Sequence, residues 1–155
     1  MTSLVQHLHS FARDVKLTDH GRECIRCAMR AMFHNAAFLN EGVPVFDISE
    51  QFGDTDMLVG NNEKGVALAK CLGHHSVALM RAHGSVAVGP SLPMAVFRAV
   101  YTEVNARVQT SATILGGGGR IAGLNAREAE FADAVNVGSG SRAWDLWKRR
   151  VGVAN

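Results

Sequence analysis

Aromatic residues are scarce in this chain, with one Tyr, two Trp and seven Phe among 155 residues. Proline is scarcer still, with three, which excludes a polyproline linker or a collagen-like repeat. Cysteine also numbers three, an odd count and too few for the disulfide scaffold of a small secreted domain. No excess of one charge is present: sixteen Lys and Arg stand against fourteen Asp and Glu, a net +2. Both signs are scattered, so there is no electrostatic case for nucleic acid as a partner. Long apolar runs are missing as well. The longest candidate, Val96 to Val108, is interrupted by Arg98, Glu103, Asn105 and Arg107, so no membrane span or membrane partner is expected. Met1 to Phe11 has no positive head before an apolar stretch and does not read as a secretory signal. The expected compartment is the reducing cytoplasm.

What is present is a globular composition, 47% hydrophobic and 19% charged. A chain of 155 residues suits one domain and can bury about two thirds of its unfolded surface without help from a disulfide or metal. Residues 1–31 show little period beyond a short face of Leu4, Val5, Leu8 and Phe11. From Met32 onward the text is orderly. Val43–Ile48 reads as a strand, with Pro44 at its start or on a sheet edge. Asn61 or Asn62 can cap a helix with Val66, Leu68, Ala69 and Leu72 on its face and Gly73 just past its end. Ser76–Met80 is a short apolar run and reads as a buried strand. Arg81–Gly84 turns the chain, and Ser85–Gly89 reads as the returning strand. Ser91 and Pro93 open a long helix with Leu92, Val96, Val100, Val104 and Val108 spaced four apart, ending near Leu115 at the glycines 116–119. Asn125 and Glu128 form a capping arrangement for another helix. Trp144 and Trp147 share one side of a final short helix, as packing or subunit-interface anchors. Interleaved strands and helices imply an α/β layered domain, and tight turns imply that part of the sheet is antiparallel.

Three features could carry chemistry. His83 closes the Arg81-Ala-His-Gly84 turn at the end of a buried strand, where Gly84 leaves room beside the ring. Its neutral imidazole suits Zn²⁺ or another divalent transition metal, and the alternative is a hydrogen-bonded structural histidine. His7-Leu8-His9 is the second feature. On an extended strand both rings project to one side and could chelate one ion, and the alternative is a solvated terminal segment. With His83 they would form a three-histidine site with a fourth position open for water or substrate. The third, Cys24-Ile-Arg-Cys27, lacks the further ligands of a zinc site and the preceding strand of a redox motif, so its spacing reads as chance. The glycines 116–119 read as a helix end rather than a phosphate loop, since no Lys-Ser/Thr follows them. His74 and His75 are adjacent, point apart on a strand, and read as surface residues. No Ser-His-Asp arrangement is recognisable.

Phe33-His-Asn-Ala-Ala-Phe-Leu39, Gly42-Val-Pro-Val-Phe-Asp-Ile48, Thr55-Asp-Met-Leu-Val59, Val77-Ala-Leu-Met-Arg-Ala-His-Gly84, Val86-Ala-Val-Gly89 and Ala99-Val-Tyr-Thr-Glu-Val-Asn-Ala-Arg107 together resemble the C-terminal portion of the class II aldolase/adducin family, with its N-terminal part expected to be missing. The resemblance is strongest over residues 32–150 of a single domain spanning 1–155, weak over 1–31, and nearest to its decarboxylase-like and sugar-phosphate-aldolase-like branch. It implies a three-layer α/β/α fold around a mostly antiparallel sheet, possessed by homo-oligomers, usually tetramers. It also implies a divalent metal, typically zinc, held by an H-x-H pair and a later His in an H-G turn. His83 matches that later ligand, and His7 and His9 fall in the right order for the pair. The implied function is a metal-dependent lyase that cleaves a carbon–carbon bond of a small hydroxy-carbonyl or carboxylate substrate, by aldol cleavage or decarboxylation. Two features depart from the family pattern. No Asp or Glu precedes His7 to act as the family's general acid/base, and Asn35 stands where the aldolases have a Tyr. The alternative function is therefore a truncated, non-catalytic member acting as an oligomerising domain.

Overall fold

The computed structural model describes residues 26–27, 29–117 and 121–152. The strands are β1 (Arg26–Cys27), β2 (Val43–Phe46), β3 (Val77–Met80) and β4 (Gly84–Ala87), in that spatial order. A 3-10 helix, His34–Leu39, precedes β2. The α-helices are the single turn α1 (Ser49–Phe52), then α2 (Asn62–Leu72), α3 (Leu92–Leu115) and α4 (Ala126–Arg150). β1 runs antiparallel to β2, and β3 antiparallel to β4. The central pair, β2 and β3, is parallel, with Val45 opposite Leu79 and Phe46 opposite Met80. Parallel neighbours need a crossover, and the connection through α2 supplies it. Two of the three pairings are therefore antiparallel.

The period of two along the strands sorts their side chains onto two faces. Val43, Val77 and Leu79 face one core with Met29, Ala36, Leu39 and Ala106, under the 3-10 helix and α3. Phe46 and Met80 face the other with Ile48 and Ala67, under α2. Helices thus cover both faces, and α4 packs outside the 3-10 helix through Ala129 and Ala132 against Ala37. Each large side chain so buried contributes about 1.5–3 kcal/mol. This is an α/β domain layered as the sequence leads one to expect.

Caps form where the local chemistry demands. Asn61 accepts from the Lys64 N–H and Ser91 from the Met94 N–H. Asn125 and Glu128 make a reciprocal capping box. Gly116 caps α3 and Gly117 follows with φ +61°; the rest of the glycine run lies outside the described residues. Several readings change. Pro44 is not on an edge, because β1 lies against it, but the ladder to β3 starts only at Val45, so no N–H is demanded of the proline there. The valine ladder is not the buried face of α3. Met94, Phe97, Thr102, Asn105, Ala106 and Gln109 are buried instead, while Leu92, Val100 and Val108 are exposed. Residues strictly four apart advance about 40° per step around a helix of 3.6 residues per turn, so such a ladder winds off any one face. On α2 the buried position is Ala67, and Val66 is exposed. Trp144 and Trp147 lie near the end of one continuous 25-residue helix rather than on a short one. Trp147 packs within the chain, its ring centroid 6.4 Å from that of Tyr101. His74 and His75 precede β3 in a turn, and their rings stack at 4.1 Å instead of pointing apart. Cys71 on α2 is disulfide-bonded, a bond the odd cysteine count did not suggest.

Candidate functional site

The end of β3 is where the sequence places its clearest chemical feature, and the structure builds that end with care. The Arg81 N–H donates to the Phe46 carbonyl at 2.9 Å, extending the parallel ladder by one residue. That register sets the Arg81 side chain beside Asp47. Arg81 Nε lies 2.6 Å from Asp47 Oδ2. The Nε–H is poorly aligned on that oxygen, so attraction between the charges carries the contact. Arg81 Nη2 donates to Ser49 Oγ at 3.0 Å and approaches Met57 Sδ at 4.0 Å. The Ser49 hydroxyl and N–H both donate to Asp47 Oδ1, at 2.7 and 2.9 Å. Burial alone would raise the Asp47 carboxyl, but the Arg81 and Ser49 contacts and the Arg81 charge outweigh it and hold the group below the usual carboxylate range.

Beyond Arg81 the chain reverses within three residues. The His83 N–H donates to the Met80 carbonyl at 3.1 Å, closing the turn. Ala82 sits at its centre with φ +56°, in the left-handed region. An L-residue there costs about 1–2 kcal/mol. Met57, the residue against the Arg81 guanidinium, is also left-handed at φ +64°. Strain at two non-glycine positions beside one ion pair is the kind of concentration found at functional sites. His83 emerges from this turn exposed to solvent, and Gly84 follows with open space where a Cβ would stand.

Ala82→Gly is accordingly expected to stabilise the fold. Relief of the left-handed strain outweighs the extra unfolded-state entropy of glycine, leaving a net gain of about 0.5–1 kcal/mol. Urea unfolding of the two proteins side by side checks this. A loss of stability in the glycine variant would show that the turn carries no such strain.

Among the described residues no three His, Cys, Asp or Glu side chains gather as a metal cluster. His83 is in place on the turn, and His7 and His9 lie outside the described residues. Cys24 lies outside them as well, and of Cys27 only the backbone is described. The Asp47–Ser49–Arg81 cluster was missed by sequence reading. Its one signal, an acid just past one strand and a base just past another, becomes meaningful only when the register of β2 on β3 is known.

Residues 3–110 match the family model described as the class II aldolase and adducin N-terminal domain. The chain belongs to the class II aldolase and adducin family. A relative, the decarboxylase tropJ of Talaromyces stipitatus, is 35% identical over 142 residues, covering 79% of this chain and 53% of that protein. A solved structure, that of the candidate aldolase/epimerase/decarboxylase YgbL of Klebsiella pneumoniae, superposes with a TM-score of 0.50. It is 22% identical, with 81% of this chain and 52% of that one covered, and it supports the fold. The chain spans about half the length of these two proteins. No helix among the described residues is long and apolar enough to cross a membrane.

Proposed function

We propose that this chain is the metal-binding part of a carbon–carbon lyase, acting by aldol cleavage or decarboxylation on a small hydroxy-carbonyl or carboxylate substrate. The observation that carries the reading is His83: a solvent-facing imidazole on a strained turn, tied down by the Asp47–Arg81 ion pair, in a family member 35% identical to a decarboxylase. The described residues fit one corner of a metal site. His83 offers a ring nitrogen with open access, and the lack of a Cβ at Gly84 keeps the space beside it clear. His7 and His9 are the proposed remaining ligands, and zinc the proposed ion. A divalent ion supplies Lewis acidity to a carbonyl or enediolate oxygen. The protein's own part is to fix the imidazole. Arg81 ties the strand end to Asp47, and the hydrogen bond from the His83 N–H to Met80 sets the direction in which the ring leaves the backbone. The reading includes a small-molecule substrate, a cytoplasmic setting and assembly into a homo-oligomer, which exposed apolar residues such as Val108 and Leu115 on α3 support.

Metal content tests it. Protein purified without added metal or chelator is expected to carry roughly one ion per chain. His83→Ala is expected to lose that ion, and so is the double variant His7→Ala/His9→Ala. A metal-free parent chain sinks the proposal, as does equal metal content in all three proteins.

A further inference from the structure

A cavity of about 580 Å³ opens between α3 and α4, beside the 3-10 helix. Its origin is the choice of small residues on α4: Ser139 and Ala143 line it where larger side chains would fill it. One wall is aromatic. Tyr101 on α3 lines it, backed by the buried Phe97 one helical turn earlier, with ring centroids 4.5 Å apart and planes tilted by 51°. The other side carries two guanidinium groups. Arg142 and Arg149 are seven residues apart on α4, two turns, so both reach the same cavity. Neither forms an ion pair among the described residues. The one carboxylate in the lining, Asp145, lies 3.3 Å from Lys148 Nζ and is neutralised by it. Asn35 adds an amide at the rim, while the Asn136 amide donates to the His34 carbonyl at 2.7 Å and fixes α4 against the 3-10 helix.

Two cations facing an aromatic wall select a ligand that has both an anionic head and a flat apolar body. A guanidinium fork pairs with the two oxygens of a carboxylate, and the rings offer a face for stacking. A free phosphate would leave the aromatic wall unused, and a neutral ring would leave the guanidinium groups unanswered. The volume falls within the range of small-molecule sites, about 300–1,000 Å³. Arg149 lies in the last turn of α4, where it also complements the helix dipole, but Arg142 lies two turns earlier and has no such role. From this arrangement we infer that the cavity between α3 and α4 binds a small aromatic carboxylate, with its ring against Tyr101 and its carboxylate between Arg142 and Arg149. The inference does not depend on the metal site.

Titration of the full chain with benzoate tests it, with benzamide as the neutral isostere and inorganic phosphate as the anion without a ring. Ligand-observed NMR and tryptophan fluorescence both report, since the Trp147 ring is 6.4 Å from Tyr101. Benzoate is expected to saturate with a Kd of about 1 mM or tighter, and benzamide and phosphate to bind about tenfold more weakly or worse. Arg142→Gln and Arg149→Gln are each expected to weaken benzoate about tenfold. Both arginines are exposed, so these variants keep the fold. Ala143→Leu, which fills the cavity from α4, is expected to abolish binding while leaving the circular dichroism spectrum unchanged. Equal affinity for benzoate and benzamide overturns the proposal, as does benzoate binding that survives both the arginine and the cavity-filling substitutions.

Discussion

Asn105→Ala is expected to cost about 3 kcal/mol of stability. Asn105 lies in the middle of α3 with no exposed surface. Its side chain accepts from the Met32 N–H at 2.8 Å and donates to the Arg30 carbonyl at 2.7 Å. One turn later Gln109 accepts from the Arg30 N–H at 2.8 Å. These amides tie an irregular segment to the helix. That segment lies in neither helix nor strand, and an unpaired buried N–H or C=O costs about 1–3 kcal/mol. Removing the Asn105 amide strands one of each and leaves a cavity. In a domain of this size the thermal midpoint is expected to fall by about 10 °C. Hydrogen exchange adds a local reading, since the Met32 amide loses its acceptor and is expected to exchange faster than the amides of α3. A loss below about 1 kcal/mol, with Met32 still protected, would show that water or another group replaces the amide.

The second large effect concerns Asp47. Asp47→Asn removes the charge that Arg81 faces, and the expected cost at neutral pH is about 1–2 kcal/mol. That figure is kept below the cost of breaking a fully buried pair because the Arg81 side chain is 38% exposed and solvent screens part of its charge. The pH dependence follows from the direction of the shift. Asp47 titrates lower in the folded state than unfolded. Its contribution is therefore complete above the unfolded value, about 3.9, and is lost as the pH falls through the lower, folded value. The stability gap between parent and variant is expected to be flat from about pH 8 to pH 5 and to narrow below about pH 4. Urea unfolding at a series of pH values reads this directly. A gap that stays constant, or widens, toward pH 3 would falsify the role given to the ion pair. The same variant is expected to loosen the turn that carries His83, because Arg81 then loses the charge that faces its guanidinium.

Much of this protein was determined by its sequence alone, for local reasons. The caps at Asn61, Ser91 and Asn125 form because a short polar side chain reaches an N–H two or three residues ahead, and nothing distant can alter that geometry. The strand Val77–Met80 is apolar on both faces because both are covered, and its composition declares it. The six segments that carry the family resemblance are likewise properties of the text, and the family model matches the chain across all six. The tertiary structure alone decided the rest. Which face of α3 is buried depended on where residues 29–32 lie, since Asn105 and Gln109 are polar and become core only because backbone groups wait for them. The parallel register of β2 on β3 brought Asp47 beside Arg81 across thirty-four positions of sequence. The continuity of α4 set Arg142 and Arg149 on one side of a cavity whose aromatic wall belongs to another helix. In each case the partners are distant in the chain. Local propensity has no access to such pairs, and only the packing of sheet and helices brings them within reach.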